Sequence, residues 1–292
     1  MKNVSIIVPS FNRPKQLRMC LQSLAVLDGG PYPTYVVDDG GSVDLGGVVA
    51  DFGDWVQLVR RENGGPGAAR NTGVDACATE LVCFTDDDCT PRPDWVDKLA
   101  CTQACEPMRL VGGQIDNALT KNVYSAASQS LSTYLYEYYQ SDDNPMSFFT
   151  TNNMCCRRED FLSIGGFDED FRIASEDRDY SLRWKDAGGT MLFEPDALVM
   201  HSHDLSFASF WRQHSNYGKG ARYLHRALDA RNDERPKVER AGFYSGLLMH
   251  PLFRDGHARL GQAVLMGLSQ VAMVSGYYSE VRRERTLTQH ET

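Results

Sequence analysis

Positive charge is scarce in this sequence: 30 Lys and Arg stand against 39 Asp and Glu, a net charge of −9 over 292 residues. That balance argues against a general nucleic-acid binder, because nothing basic offsets phosphate repulsion. No internal repeat and no low-complexity tract interrupts the chain. The first apolar run, Val4-Ser5-Ile6-Ile7-Val8-Pro9, is too short for a signal peptide and predicts a strand, so a cytoplasmic location is expected. Eight cysteines are present, yet none form a Cys-x-x-Cys pair. Cys101 and Cys105 are four apart in a predicted helix, and Cys155 and Cys156 adjoin in a predicted strand. A zinc site is therefore not expected, and free thiols in a reducing compartment are. Neither Gly-x-Gly-x-x-Gly after the first strand nor a P-loop sequence occurs, which argues against a Rossmann dehydrogenase and a P-loop enzyme.

What is present is an alternation. Apolar strands are predicted at Val4 to Val8, Tyr35 to Val37, Trp55 to Val59 and Leu81 to Thr85. Helices are predicted between them: one opened by Pro14 with the stripe Leu17, Leu21 and Leu24, one after Gly64-Gly65-Pro66-Gly67, and one near Asp94 to Ala104. Strands separated by helices imply a mainly parallel, three-layer α/β sheet, with ligands at the carboxyl ends of the strands. The length allows one large or two modest domains.

The most informative stretch is Leu81-Val82-Cys83-Phe84-Thr85-Asp86-Asp87-Asp88. A buried strand here delivers three carboxylates to one point at a sheet edge. Close carboxylates resist ionising together. A hard divalent cation, Mg²⁺ or Mn²⁺, is the natural compensation, and such ions usually share one or two carboxylates with a substrate's phosphates. The other reading is a solvated acidic turn.

Six segments then occur in one order: Ser5-Ile6-Ile7-Val8-Pro9-Ser10-Phe11-Asn12-Arg13; Val36-Val37-Asp38-Asp39-Gly40-Gly41-Ser42; Asn63-Gly64-Gly65-Pro66-Gly67-Ala68-Ala69-Arg70-Asn71-Thr72-Gly73; Phe84-Thr85-Asp86-Asp87-Asp88; Gly165-Gly166-Phe167-Asp168-Glu169; and Ser175-Glu176-Asp177-Arg178-Asp179-Tyr180. In these, spread over roughly residues 3 to 205, the chain resembles the inverting family 2 glycosyltransferases of the GT-A fold. The resemblance implies a Rossmann-like, three-layer α/β/α nucleotide-diphospho-sugar transferase domain with a mainly helical C-terminal extension. It divides the chain into a catalytic domain, 1–205, and an extension, 206–292. Within the first, 1–110 would bind the nucleotide sugar and 111–205 would carry the acceptor site and the base.

The resemblance also implies roles. Asp39 would accept a hydrogen bond from the nucleotide base, with Pro9 beside the ring, and Phe11, Asn12, Arg13 and Asn63 would line the donor site. Asp86 would face the ribose, and Asp88 would hold a Mn²⁺ or Mg²⁺ ion that bridges the donor diphosphate. Asp87 would assist at the donor or stand as a bystander on the strand's opposite face, and its division of labour with Asp88 is open. Arg70 would add positive charge near the donor, or be an exposed helix arginine. Asp177, with Glu176 beside it, would be the general base that deprotonates an acceptor hydroxyl; the plainer reading is that both acids favour a helix N-terminus. His201 and His203 follow a predicted strand from Ala197 to Met200. One of them, His201 ahead of His203, would complete the metal shell, and imidazole suits Mn²⁺ better than Mg²⁺. Asn152 and Asn153 would bind acceptor hydroxyls.

The donor nucleotide is UDP, GDP or dTDP, which the sequence does not distinguish. Tyr134, Tyr136, Tyr138 and Tyr139 either offer faces to an acceptor or pack a helix on the sheet. Arg183-Trp184 lacks the Gln-x-x-Arg-Trp spacing of the processive synthases, and no channel helices are evident, so one sugar per encounter is expected. Tyr217-Gly218-Lys219-Gly220 resembles a short motif common after this domain, and Arg231 to Lys237 reads as a charged linker. Residues 260–278 are mostly apolar but include Gln262, Ser269, Gln270 and Ser275. They predict a helix packed on the catalytic domain or on a second subunit, or else a peripheral contact with the inner face of a membrane. A sugar-1-phosphate nucleotidyltransferase and a non-catalytic nucleotide-sugar binder are the competing functional readings.

Overall fold

Alternate residues of the first strand, β1 (Val4–Ser10), point to opposite faces of a sheet, and both faces are buried. Double burial is why the strand reads as a continuous apolar run. In the computed structural model, which describes residues 3–140, 146–235, 239–253 and 259–290, eight described strands form one sheet. After β1 come α1 (Pro14–Leu24), β2 (Thr34–Asp38), α2 (Gly46–Ala50), β3 (Val56–Arg60), α3 (Pro66–Ala76), β4 (Leu81–Phe84) and β5 (Cys89–Pro91). Then follow α4 (Trp95–Gln103), β6 (Arg109–Asn117), α5 (Val123–Tyr138), β7 (Met154–Arg157), α6 (Arg158–Ser163), α7 (Glu176–Asp186) and β8 (Thr190–His201). The later helices are α8 (Phe207–Arg231), α9 (Ala241–Phe253) and α10 (Arg259–His290).

The strand order is β3-β2-β1-β4-β7-β6-β8-β5. β1 to β4 are mutually parallel, β7 runs antiparallel to β4 and β6, β8 is parallel to β6, and β5 is antiparallel to β8. The chain proceeds outward from β1 through β2 to β3 and then returns to β1's other side as β4. The switch point therefore lies between β1 and β4, and a crevice opens beyond their carboxyl ends. Phe11 to Arg13 follow one of these strands and Asp86 to Asp88 follow the other.

Helices cover both faces of the sheet. Val4, Ile6 and Val8 join Leu17 and Leu21 of α1 and Trp95 and Leu99 of α4 in one cluster. On the opposite face α3 lies so close that a Cβ on Gly73 would stand 2.5 Å from Ile7. Beside it Phe84, Phe161, Phe167 and Tyr180 form a ring cluster with centroids 4.9 to 5.8 Å apart. Each fully buried Phe contributes about 1.5–3 kcal/mol of transfer free energy. The three-layer architecture follows from these two apolar faces. All eight cysteines are free, six of them buried, and Cys105 lies beyond the end of α4 rather than within a helix.

The chain divides into two compact units. The first comprises Met1–Ala118, Met146–Arg172 and Glu176–Ser202 and contains the whole sheet. The second comprises Leu119–Pro145, Ile173–Ser175 and His203–Thr292, with helices α5, α8, α9 and α10. Residues 111–205, expected as one block, are thus shared between the two.

Within the second unit Ser206 and Ser209 form a reciprocal cap at the start of α8. α8 extends through Arg231, so the expected linker begins only at Asn232, and its Pro236 and Lys237 lie outside the described residues. Within this unit Tyr134 donates to the Phe243 carbonyl, and Tyr138 and Tyr139 donate to Glu239. Residues 260–278 fall inside α10. Among the described residues, no helix is long and apolar enough to cross a membrane.

Candidate active site

The three aspartates after β4 have different surroundings, although two of them share Arg13. Asp86 accepts from Arg70 at 2.6 Å. Asp87 is buried and accepts from Ser10 Oγ at 2.7 Å and from Arg13 at 2.8 Å. Asp88 is also buried; it accepts from the other arm of Arg13 at 2.5 Å and lies 3.2 Å from His201 Nε2. Arg13, half exposed at the start of α1, therefore forks across two neighbouring carboxylates. Asp87 is tied to β1 and Arg13 rather than solvated, and Arg70 is not an exposed helix arginine: it is 3 % exposed.

The environments push the two buried carboxyls apart. Burial raises Asp87 to about 7, against the opposing pull of Arg13. Burial also opposes ionisation of Asp88, but His201 and Arg13 outweigh it and hold that carboxyl well below the usual carboxylate range. Asp88, Cys89 and His201 place one ligand atom each within 4.8 Å of one another. A carboxylate and an imidazole fit Mn²⁺ or Mg²⁺. Burial drives the Cys89 thiol well above its ordinary range, so it sits there as a neutral group. The pairing of β5 with β8 brings this trio together, since Cys89 is in register with His201. His203 is not in this cluster and belongs to the second unit, where its carbonyl accepts from Ser125.

Glu176 and Asp177 open α7. Ser175, just before them, is held at φ 77°, a strained conformation for a residue with a Cβ. Glu176 is buried and accepts from Arg70 at 3.1 Å. Its carboxyl is pushed up to about 7 by burial and by the adjacent Asp177 charge, with Arg70 pulling the other way. Asp177 is half-buried; its carboxylate accepts the Arg178 N–H at 2.8 Å, and burial raises it despite Arg178. Arg178 itself lies over the Phe148 ring at 4.1 Å. Arg70 thus joins the two acidic centres, with Asp86 on one arm and Glu176 on the other.

Asp39, at the end of β2, is 5 % exposed and accepts from the N–H groups of Gly64 and Gly65 at 3.0 and 2.8 Å and from Asn63 Nδ2 at 3.2 Å. It fixes the loop that opens α3. Gly65 there has φ 91°, and a Cβ on it would meet the Arg172 carbonyl at 2.7 Å, so only glycine fits. Asn12, at φ 58°, accepts the Val43 N–H at 2.8 Å and so ties the end of β1 to the loop after β2. Pro9 is half-buried in register with Val37, and Phe11 is 47 % exposed at the mouth of β1.

The acceptor assignment needs one correction. Asn153 is fully buried: its amide donates to the Gln114 and Ala197 carbonyls, each at 2.8 Å, and its oxygen accepts from Trp95 Nε1 at 2.8 Å. With these partners it joins strands β6 and β8 to α4 and cannot meet a hydroxyl. Asn152, 8 % exposed, accepts from Thr150. Ser10 and Cys89 were missed by sequence reasoning, and both reveal themselves only through strand pairing.

The sequence profile of the family described as "Glycosyl transferase family 2" matches residues 5–165, more than half of the chain. The chain is 31% identical over 229 residues to the pre-mycofactocin glycosyltransferase of Mycobacterium tuberculosis, covering 75% of this chain and 47% of that protein. It spans about half the length of that relative. It is 23% identical to glycosyltransferase AglE of Haloferax volcanii, with 74% and 72% covered. Among solved structures, the mannosyltransferase PcManGT of Pyrobaculum calidifontis, in complex with GDP-Man and Mn²⁺, aligns with a TM-score of 0.60 at 17% identity over 98% of this chain and 80% of that one. The GT-A architecture is shared with that structure. The profile match, these relatives and a site at the β1–β4 switch point agree: the chain belongs to glycosyltransferase family 2.

Proposed function

We propose that this enzyme moves one sugar from a nucleotide-diphospho-sugar to an acceptor hydroxyl by a single inverting displacement, with a divalent ion. The observation that carries the reading is the Arg70 bridge, because it holds an acid of the donor-side cluster and the acid beside the candidate base on one guanidinium. Asp88 and His201 would hold Mn²⁺ or Mg²⁺. That ion would neutralise charge gathering on the departing diphosphate.

The chain's own residues do the rest. Asp177 takes the proton of the acceptor hydroxyl on its carboxylate; burial raises its basicity toward that task. Glu176 and Arg70 set the charge beside it. Asp39 locks the Gly-rich loop with three hydrogen-bond donors and lies 3.5 Å from Arg61; it would meet a nucleotide-base N–H at the same end of the crevice. Pro9, Phe11, Asn12 and Asn63 frame the same end of the crevice, and Arg13 steadies Asp87 and Asp88. Residues 1–110 would carry the donor site and 111–205 the base. The donor would carry UDP, GDP or dTDP.

Calorimetry with nucleotide diphosphates and a transfer assay test the reading. Asp88→Ala should abolish Mn²⁺-dependent nucleotide binding. Asp177→Asn should bind nucleotide like the wild type but transfer sugar about 10²-fold more slowly or worse. Wild-type transfer by Asp177→Asn would place the base elsewhere, and wild-type Mn²⁺-dependent affinity in Asp88→Ala would remove the ion from that carboxylate.

A further inference from the structure

Along α10 the residues Leu260, Val264, Val271, Val274 and Tyr278 are 73, 58, 56, 57 and 58 % exposed. Their spacing of 4, 7, 3 and 4 keeps them within about 40° of one line on a helix of 100° per residue. The stripe is about 27 Å long at 1.5 Å per residue. Leu248 of α9 sits against Gly267 of the same line, 3.7 Å from where a Cβ would stand, and adds to the patch. An apolar strip of this length on a protein surface marks an interaction site.

The next residues on that line, Arg282 and Arg285, are exposed too. The acids of this helix point the other way. Glu280 is 5 % exposed and accepts from Tyr223, and Glu284 accepts from Arg222 at 2.6 Å, both partners lying on α8. So the outward line carries apolar residues and arginines but no acid, in a chain whose net charge is −9. A second copy of the chain does not suit it. Two such faces packed parallel would set arginine against arginine, and packed antiparallel would set arginine against Leu260 and Val264. Either arrangement desolvates unpaired charge.

We propose that the outward face of α10 docks on an anionic phospholipid surface. The apolar stripe enters the headgroup boundary while Arg282 and Arg285 meet lipid phosphates, the pattern of a helix that lies on a membrane rather than crossing it. The proposal does not depend on the sugar-transfer reading, since its readout is vesicle binding.

The test is co-sedimentation of the full chain with phosphatidylcholine vesicles, with and without about a third phosphatidylglycerol. Binding should require the anionic lipid and weaken in high salt. Arg282→Gln/Arg285→Gln should bind roughly thirtyfold more weakly, from the contribution per basic residue near a charged surface. Val271→Asp/Val274→Asp, at exposed positions, should abolish binding with an unchanged melting curve. The proposal is overturned if wild-type protein ignores anionic vesicles, if either pair of substitutions leaves binding intact, or if the chain elutes as a dimer that Val271→Asp/Val274→Asp dissociates.

Discussion

Arg70 shows how much of the site depends on pairs far apart in the chain. It is separated by 16 residues from the half-buried Asp86 and by 106 from Glu176, and it is buried together with Glu176. Removing its charge leaves Glu176 without that counter-ion, so Arg70→Met should cost about 3–5 kcal/mol in urea unfolding. Arg70→Lys should recover only part, because an ammonium cannot fork to two carboxylates. Glu176→Gln separates charge from position. The Glu176–Asp177 pair titrates as a unit, raised by burial. The base must be ionised, and burial raises the Asp177 carboxyl, so transfer should decline as pH falls, at a pH above the ordinary aspartate range. Deleting the Glu176 charge removes a like neighbour and should move that acidic limb to lower pH in a pH–rate profile. An unmoved limb would mean that Asp177 does not titrate in the rate. The acids were legible in the sequence as residue types, because three aspartates after an apolar strand are a local signal. Their division was not. Asp87 is distinguished from Asp88 by Ser10, Arg13 and His201, which come from β1, the start of α1 and the end of β8. Asn153 misled for the same reason: its partners Trp95, Gln114 and Ala197 are invisible to spacing.

At the scale of elements, legibility followed side-chain regularity. The strands β1, β2, β3 and β4 and helices α1, α3 and α4 could be read to within about two residues, because each has an apolar run or stripe with Pro or Gly or, for β4, a run of acids at its edge. β6 was missed, and its sequence explains why: Gly112 and Gly113 break the apolar pattern. These glycines are there for contact. A Cβ on Gly113 would lie 2.3 Å from the Ala197 carbonyl and 2.5 Å from the Asn153 amide. β8 was read only over its last residues, since Pro195 falls where its register against β6 slips between Gly113 and Gln114. The same logic governs the crossing of α8 and α10. A Cβ on Gly276 would stand 1.9 Å from the Ser215 carbonyl, and one on Gly218 would stand 1.9 Å from the Met273 carbonyl. Backbone cannot give way as a side-chain tip does. Gly276→Ala should therefore destabilise by about 1–3 kcal/mol or more, through forced separation of the helices. Gly261→Ala, in the same helix but with nothing within 4 Å, should be neutral or stabilise by up to about 1 kcal/mol. Chemical denaturation of the two variants decides it. Equal effects would mean that the crossing adapts.

For the molecule as a whole, the acidic character evident in composition meets the burial that only folding creates. Burial pushes Asp87 and Glu176 each to about 7, whereas in an unfolded chain such groups titrate near 4. Between those values the folded state binds more protons than the unfolded state. Stability then falls as pH rises through the window from about 4 to 7, since it rises with pH only where the unfolded state holds more protons. The net charge of −9 acts in the same direction, because deprotonating exposed acids adds self-repulsion to the compact state. Salt separates the two contributions. Exposed charges are screened, with a Debye length of about 3 Å at 1 M, while buried carboxyls are screened far less. Without divalent ions and in high salt, the wild-type melting temperature should still decline between about pH 4 and 7. In Asp87→Asn/Glu176→Gln that decline should flatten, because neither replacement titrates. A wild-type melting temperature that climbs across the window in high salt would show that both carboxyls ionise freely in the folded protein, and that Arg13 and Arg70 outweigh their burial.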